Sequence, residues 1–213
     1  MKKVLILANS ASGLYDFRNE LLLKLLESYE VHVSLPDAEK VPQLAIEGCQ
    51  IHHTPIDRRG VNPVKDMSLL FSYWKLISKI KPDVVLTYTI KPNIYGNLCC
   101  RLKRIPYIAN ITGLGSVFEN GGMVQKIVVL LYKLSLKKAS CIFFQNKKNQ
   151  EILDLLEGHE ILLFCPEFEA GLPLPHDPIE LKDGKAVTSK GEDLNDLLQK
   201  TSSRVYERIK DCD

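Results

Sequence analysis

The residues best suited to chemistry lie in short segments that follow apolar runs. Asn9-Ser10-Ala11-Ser12-Gly13-Leu14 comes directly after Val4–Ala8. Small side chains there let backbone amides approach a ligand, and a helix opening behind them would favour an anion. The spacing is not G-x-G-x-x-G, so the dinucleotide fingerprint is missing, and a plain strand-to-helix turn fits the same residues. Further on, Pro55-Ile56-Asp57-Arg58-Arg59-Gly60-Val61-Asn62-Pro63 sets two arginines beside a helix start. Adjacent guanidinium groups can clamp a phosphate. A solvated loop with an ion pair between Asp57 and an arginine is the plain alternative.

Two later segments are richer. Thr87-Tyr88-Thr89-Ile90-Lys91-Pro92-Asn93-Ile94-Tyr95-Gly96 gathers hydroxyls, a cation, an amide and an aromatic ring after a buried run. It could meet a ligand, or Asn93 could cap the next helix while Tyr95 packs. The segment from Asn110 to Gly122 carries Gly113, Gly115, Gly121 and Gly122, which implies a mobile loop or one that another backbone approaches closely. Glu119 within it is a candidate base or an electrostatic cap for the following helix.

Other chemistries find little support. The histidines at 32, 52, 53, 159 and 176 show neither H-x-x-H nor H-E-x-x-H spacing, so no metal site is expected in the first domain. There is no G-x-S-x-G elbow and no P-loop. Six cysteines, at 49, 99, 100, 141, 165 and 212, form no C-x-x-C pair and fit a reducing compartment. With 28 basic and 26 acidic residues the net charge is +2, which gives no global attraction to nucleic acid. The N-terminal apolar run of Val4–Ala8 is too short for a signal peptide, and no run of about 18 apolar residues predicts a transmembrane helix.

These segments need a scaffold, and the hydrophobic pattern supplies one. Val4–Ala8, Val31–Leu35, Ile51–Pro55, Val84–Thr89, Tyr107–Thr112 and Cys141–Gln145 read as strands. Most are apolar on successive residues, so both faces are buried, as in a parallel sheet covered by helices. Helices are expected near 17–28, 39–47, 63–79, 94–104 and 122–138. Asn62 and Pro63 mark the start of the third. The repeated units predict an α/β fold, a Rossmann-like doubly wound parallel sheet whose ligands sit at the strand carboxyl ends. Helix 122–138 carries Lys126, Lys133 and Lys137 on one face of an otherwise apolar segment. It reads either as a buried helix with a thin solvated stripe or as a contact with an anionic membrane surface. After about residue 150 the pattern breaks into a helix near 147–157, a strand at Ile161–Phe164, a proline-rich stretch, a hairpin turn at Asp183-Gly184 and a polar helix near Leu194–Lys210. Residues 151–213 are thus expected to form a small irregular α+β segment.

Four segments, taken in order, resemble one family. They are Pro55–Pro63, Lys81–Gly96, Ile111-Thr112-Gly113-Leu114-Gly115 and Phe143-Phe144-Gln145-Asn146. Residues 1–150 resemble the N-terminal, acceptor-side domain of bacterial family 4 glycosyltransferases, one half of a GT-B fold. The nearest subgroup adds a hexose or N-acetylhexosamine to undecaprenyl-diphosphate-linked sugars for cell-surface polysaccharides or protein glycosylation. The resemblance implies a retaining transfer from a nucleotide sugar, UDP-linked in most members, with no required cofactor or metal. It assigns Ser12, Gly13, Arg58, Arg59, Thr89, Lys91, Asn93, Thr112, Gly113 and Gly115 to the acceptor and phosphate cleft. Lys126, Lys133 and Lys137 would face the inner surface of the cytoplasmic membrane, making the protein cytoplasmic and peripheral. Many members carry a histidine in the loop after the fifth strand. Here that loop reads Thr112-Gly113-Leu114-Gly115, so no catalytic residue is assigned.

The family also implies a second, donor-holding domain of about 180 residues. Residues 151–213 do not resemble it, so the chain is expected to be incomplete alone, with a separately encoded donor-domain chain as a candidate partner. Those residues instead resemble part of a bacterial domain related to iron–sulfur desulfidases acting on thiouracil, with Cys165 matching a Cys-Pro-Glu ligand. A single thiolate cannot hold a cluster that needs three or four ligands. Two alternatives stand beside the transferase reading: a non-catalytic membrane-docking remnant, and an iron–sulfur or redox protein built on Cys165.

Overall fold

The computed structural model describes residues 1–36, 40–57, 62–112, 123–144, 161–163, 180–182, 185–187, 203 and 205–212. Seven strands form one sheet: β1 (Lys3–Leu7), β2 (Glu30–Leu35), β3 (Gln50–His53), β4 (Val84–Tyr88), β5 (Tyr107–Ile111), β6 (Cys141–Phe144) and β7 (Ile161–Leu163). Their order is β3-β2-β1-β4-β5-β6-β7, and every neighbouring pair is parallel. The expected Rossmann-like doubly wound fold is therefore present. Two short strands, β8 (Glu180–Lys182) and β9 (Lys185–Val187), pair antiparallel in the hairpin that Asp183-Gly184 signalled.

The alternation of side chains explains why the sheet has two cores. Val4 and Ile6 of β1 join one hydrophobic cluster, with Leu21, Leu22 and Leu25 of α1 (Ala11–Leu26). Leu5 and Leu7 join another, with Leu69, Tyr73 and Ile77 of α3 (Pro63–Ile80). All four β1 side chains are fully buried, each worth roughly 1.5–3 kcal/mol over exposure. Short α2 (Val41–Ile46) adds Leu44 to the first cluster. On the opposite side α4 (Asn97–Lys103) adds Cys99 and Cys100, and α5 (Met123–Leu136) adds Tyr132 and Leu136 against β5 and β6.

Several local expectations hold. Asn62 caps α3, its Oδ1 accepting from the backbone amides of Val64 and Lys65, with Pro63 first in the helix. Others are corrected. α1 starts at Ala11, not near residue 17, because Ser10 caps it by accepting from the Gly13 amide at 3.3 Å. Ser12 and Gly13 thus lie in its first turn. The helix expected near 94–104 contains a π-helical turn, Pro92–Gly96, before α4. Gly96 makes this packing possible: a Cβ there would lie 2.6 Å from Leu7 Cδ1 and 3.3 Å from Thr87 Cγ2. The expectation of a buried α5 also fails. Met123, Val124, Ile127, Leu130 and Leu134 are exposed, and only Tyr132, Ser135 and Leu136 are buried.

Two described pieces of residues 151–213 join the first domain. β7 extends the main sheet beside β6. A last helix, 205–210, places Val205, Tyr206 and Ile209 in the α1 core. Tyr206 packs edge-on against Tyr29, and its hydroxyl reaches Ser28 Oγ at 3.3 Å.

Candidate functional site

Because every strand of the main sheet is parallel, their carboxyl ends share one edge. The strand order reverses between β1 and β4, where such sheets open a crevice. The turn after β1 and the segment after β4 flank it. Ser12 and Gly13 stand on the first side, at the amino end of α1, and Ser12 is half-buried. A Cβ on Gly13 would meet nothing closer than 3.6 Å, so the protein's own packing does not demand glycine there.

The opposite side is built on a buried polar network. The Thr87 hydroxyl lies 2.6 Å from the Asn93 amide and 2.9 Å from the Asn97 amide. It has one proton to give. Donation to Asn93 Oδ1, with the Asn97 amide turned so that its Nδ2 donates to the Thr87 oxygen, lets the single hydroxyl proton serve both contacts. Asn93 Nδ2 then donates to the Asn110 carbonyl, and Asn110 Nδ2 to the Thr87 carbonyl, tying β4 to β5. Asn93 is wholly buried, so its amide holds the strand ends in place from within and does not lie at the cleft surface.

Thr89, the first residue after β4, has φ +72°. For a β-branched residue this is strained backbone, and such residues concentrate at binding sites. Its Oγ1 is buried and finds no partner among the described residues. Lys91 follows in the helical turn that leads into Pro92–Gly96, and its ammonium contacts Asp66 Oδ1 of α3 at 2.6 Å. The ammonium that the resemblance gave to a phosphate is thus already matched by a carboxylate. Asp66 also faces Tyr95, whose phenol is pushed up first by burial and then by the carboxylate's charge.

Thr112 ends the β5 side of the same edge, half-buried. Arg58, Arg59, Gly113, Gly115, Glu119 and Cys165 lie outside the described residues. Asp57 pairs with Lys65 at 2.9 Å. Sequence reasoning missed Arg18, whose guanidinium lies 5.9 Å from the centre of the Tyr88 ring. Burial pushes the Tyr88 phenol up to about 12, and the arginine acts against that rise. The signal was the helical spacing from Ser10, which an early helix start would have revealed.

Lys126 is exposed and Lys133 half-buried on α5, while Lys137 is exposed just beyond its end. No helix among the described residues is long and apolar enough to cross a membrane. Nor do the described residues contain a group of three or more histidine, cysteine or acidic side chains fit for a metal. Cys49 and Cys141 are buried in one core cluster, and the adjacent Cys99 and Cys100 in the other. Burial raises the Cys49 thiol to about 11 and the Cys99 thiol to about 12, so both stay protonated and inert at neutral pH.

Comparison with known proteins places this edge in context. Over 153 residues the chain is 28% identical to the N,N'-diacetylbacillosaminyl-diphospho-undecaprenol alpha-1,3-N-acetylgalactosaminyltransferase of Campylobacter jejuni, covering 69% of this chain and 41% of that protein. It is 28% identical over 116 residues to the UDP-Gal:alpha-D-GlcNAc-diphosphoundecaprenol alpha-1,3-galactosyltransferase of Escherichia coli, covering 54% and 29%. The chain thus spans less than half the length of the curated relatives it matches. The crystal structure of Anabaena HepE with UDP-glucose superposes with a TM-score of 0.54 at 14% identity, over 76% of this chain and 43% of that one, a likeness of fold. The comparisons bring no support to a desulfidase-related unit in residues 151–213. Residues 3–146, most of the chain, match the glycosyl transferase 4-like family, and the chain belongs to that family.

Proposed function

We propose that this domain holds the acceptor in the transfer of a hexose or N-acetylhexosamine from a nucleotide sugar, UDP-linked, to a lipid-diphosphate-linked sugar. The donor sugar is presented across the cleft by a second unit, on this chain or another. The observation that carries this reading is the convergence on one edge of the amino end of α1, the strained Thr89 and Thr112, in a chain similar to two transferases named for undecaprenol-diphosphate sugars.

The diphosphate is anionic, and the amino end of α1 has no acidic residue in its first turn to repel it. Ser12 and Gly13 offer a small, close-approach surface beside that helix end. Thr89 contributes a hydroxyl that none of the described residues engages. Lys91, held by Asp66, stands on the same side. Arg58, Arg59, Gly113 and Gly115 complete the cleft in this proposal. Lys126, Lys133 and Lys137 face the anionic surface in which the acceptor lipid is anchored, keeping the protein at the inner face of the cytoplasmic membrane.

The test is direct. The purified chain is mixed with an undecaprenyl-diphosphate-linked sugar and UDP-sugars, alone and with a candidate donor-domain chain. Acceptor binding is measured separately from product. Acceptor binding by the chain alone, with product only when the second unit is added, is the expected result. An acceptor that does not bind in either mixture overturns the reading.

A further inference from the structure

Away from the crevice, β2 and β3 carry a second polar cluster. Val31, Val33 and Leu35 of β2 enter the α1 core, so Glu30, His32 and Ser34 face the other way, beside Lys3, Leu5 and Leu7 of β1. Gln50 and His52 of β3 share that side, and Thr54 follows them. Their side chains meet in three rungs, each between residues 20 apart in the chain. Gln50 Nε2 donates to Glu30 Oε1 at 2.9 Å, His32 Nδ1 lies 3.0 Å from His52 Nε2, and Ser34 Oγ donates to Thr54 Oγ1 at 2.8 Å. On the same side of the sheet β1 offers Leu5 and Leu7 to α3, so burial alone would not select this polar row.

Chemistry fixes the protons of the middle rung. His32 is 4% exposed, and its Nε2 lies 3.0 Å from Glu30 Oε1. An ionised carboxylate has no proton to give, so neutral His32 carries its proton on Nε2 and a lone pair on Nδ1. That lone pair faces His52 on the outermost strand. One nitrogen turned to a carboxylate and the other presenting a lone pair is how metal-ligating imidazoles are set. The two facing nitrogens are 3.0 Å apart. Two imidazoles on one tetrahedral ion, with bonds of about 2.05 Å, place theirs about 3.4 Å apart. His52 is half-buried, and a small rotation of its ring supplies the difference.

We infer that His32 Nδ1 and His52 Nε2 hold one divalent transition-metal ion, Zn²⁺, Ni²⁺ or Cu²⁺, with Glu30 orienting His32 and water filling the remaining positions. Imidazole suits these ions, whereas Mg²⁺ and Ca²⁺ prefer oxygen. Binding releases no net proton: the His52 proton moves from Nε2 to Nδ1, and both rings stay neutral. Two cations face the pair, Lys3 from β1 and Lys79 from α3, and both act against a dication. Glu30, 3.6 Å from Lys3 Nζ, offsets the first of them. With two protein ligands the site is weaker than the closed four-ligand sites that drive folding. It lies within the strands, away from the carboxyl ends that bear Thr89 and Thr112, so the ion ties edge strand β3 to β2 and takes no part in transfer. Local spacing hides the pair, since adjacent His53 turns to the opposite side of β3.

The untagged chain, stripped with EDTA, is titrated with Zn²⁺ and with Ni²⁺ by calorimetry at about pH 7.5, where both rings are neutral. Either ion should bind and raise the unfolding temperature, and Mg²⁺ should do neither. The electron paramagnetic resonance spectrum of the Cu²⁺ form should show two nitrogen ligands. Affinity should fall on the order of 100-fold in His52→Phe and about tenfold in Glu30→Gln, which leaves both imidazoles in place. It should rise about threefold in Lys79→Gln, which removes a facing cation. His53→Gln should change nothing. Glu30 is 30% exposed and Lys79 is exposed, so these two variants keep the test open should His52→Phe fail to fold. No binding of either ion by the unaltered chain overturns the inference. So does an affinity untouched by both His52→Phe and Glu30→Gln, which would assign the ion to His53, His159, His176 or a thiol. No arm contains acceptor or nucleotide sugar, so these outcomes are independent of the transferase reading.

Discussion

The Lys91 ammonium lies 2.6 Å from Asp66 Oδ1, and the two side chains are 13% and 12% exposed. This pair fastens the segment after β4 to the first turns of α3. A buried pair of this kind adds little net stability, yet losing one member strands the other. Lys91→Met should therefore destabilise the domain by roughly 3–5 kcal/mol in urea unfolding, and Lys91→Met with Asp66→Leu should recover most of that. A single-variant cost below about 1 kcal/mol would mean a solvated pair, leaving Lys91 as available to an anion as a surface lysine.

Thr89 supplies a second test, because strain and function can be separated there. Its positive φ costs about 1–3 kcal/mol, whereas glycine adopts it freely, at an added chain-entropy cost of roughly 0.5–1 kcal/mol. Thr89→Gly should raise the urea midpoint, by about 1 kcal/mol in stability, while weakening acceptor binding through the lost hydroxyl. A destabilised variant would show that the hydroxyl is already engaged within the protein.

Gly96 acts through space alone. A methyl group there would press on Leu7, itself fully buried and unable to retreat into solvent. Gly96→Ala should cost about 1–3 kcal/mol by overpacking, despite alanine's better helix propensity. A neutral or stabilised variant in thermal unfolding would refute the role given to this close approach.

These residues also show what could be read before folding. β1, β2, β4, β5 and β6 are legible because strands buried on both faces must be continuously apolar. Asn62-Pro63 marks α3 through capping chemistry. The start of α1 misleads because Ser10-Ala11-Ser12-Gly13 has the composition of a loop, and only the bond from the Gly13 amide to Ser10 reveals a capped helix. Asn93 looks like a surface ligand because nothing in its own segment shows Asn110 waiting for it on the neighbouring strand, or that Thr87 turns back to meet it. The lysine stripe of α5 was visible, whereas its exposed apolar face depends on which side of the helix meets β5 and β6. Arg18 and Lys91 depend on partners 70 and 25 residues away, distances that local pattern cannot span.

Acid sensitivity should follow from His32 and His52. His32 Nδ1 and His52 Nε2 are 3.0 Å apart in stacked rings, so they share one proton comfortably and two poorly. Burial lowers both pKa values. Lys3 lowers His32 further, and His32 and Lys79 lower His52, while Glu30 opposes the fall at His32. With folded values below the unfolded ~6.5, the unfolded chain binds more protons under that pH. The stabilising contribution is present above about pH 6.5 and is lost as the pH falls from there. Urea midpoints should drop on going from about pH 7.5 to about 5.5, and the drop should shrink in His52→Phe. A midpoint that holds or rises on acidification would contradict this.

The final prediction concerns residues beyond the family match. Ile209 is wholly buried, and Val205 and Tyr206 nearly so, in the core formed by β1, β2 and α1. Lys24 and Lys210 place their ammonium groups 4.9 and 4.8 Å from the centre of the Tyr206 ring, adding cation–π attraction to the edge-on contact with Tyr29. If the last helix merely rested on the domain, truncating its side chains would be nearly neutral. Packed as it is, Ile209→Ala should cost about 2–5 kcal/mol by lost burial and a residual cavity. The loss should appear in the unfolding of the whole domain as one cooperative transition. Separate early melting of the last helix, with the main transition unmoved, would show that the Rossmann core stands without it, and that Tyr29 and Ser28 serve as a docking surface and not as core.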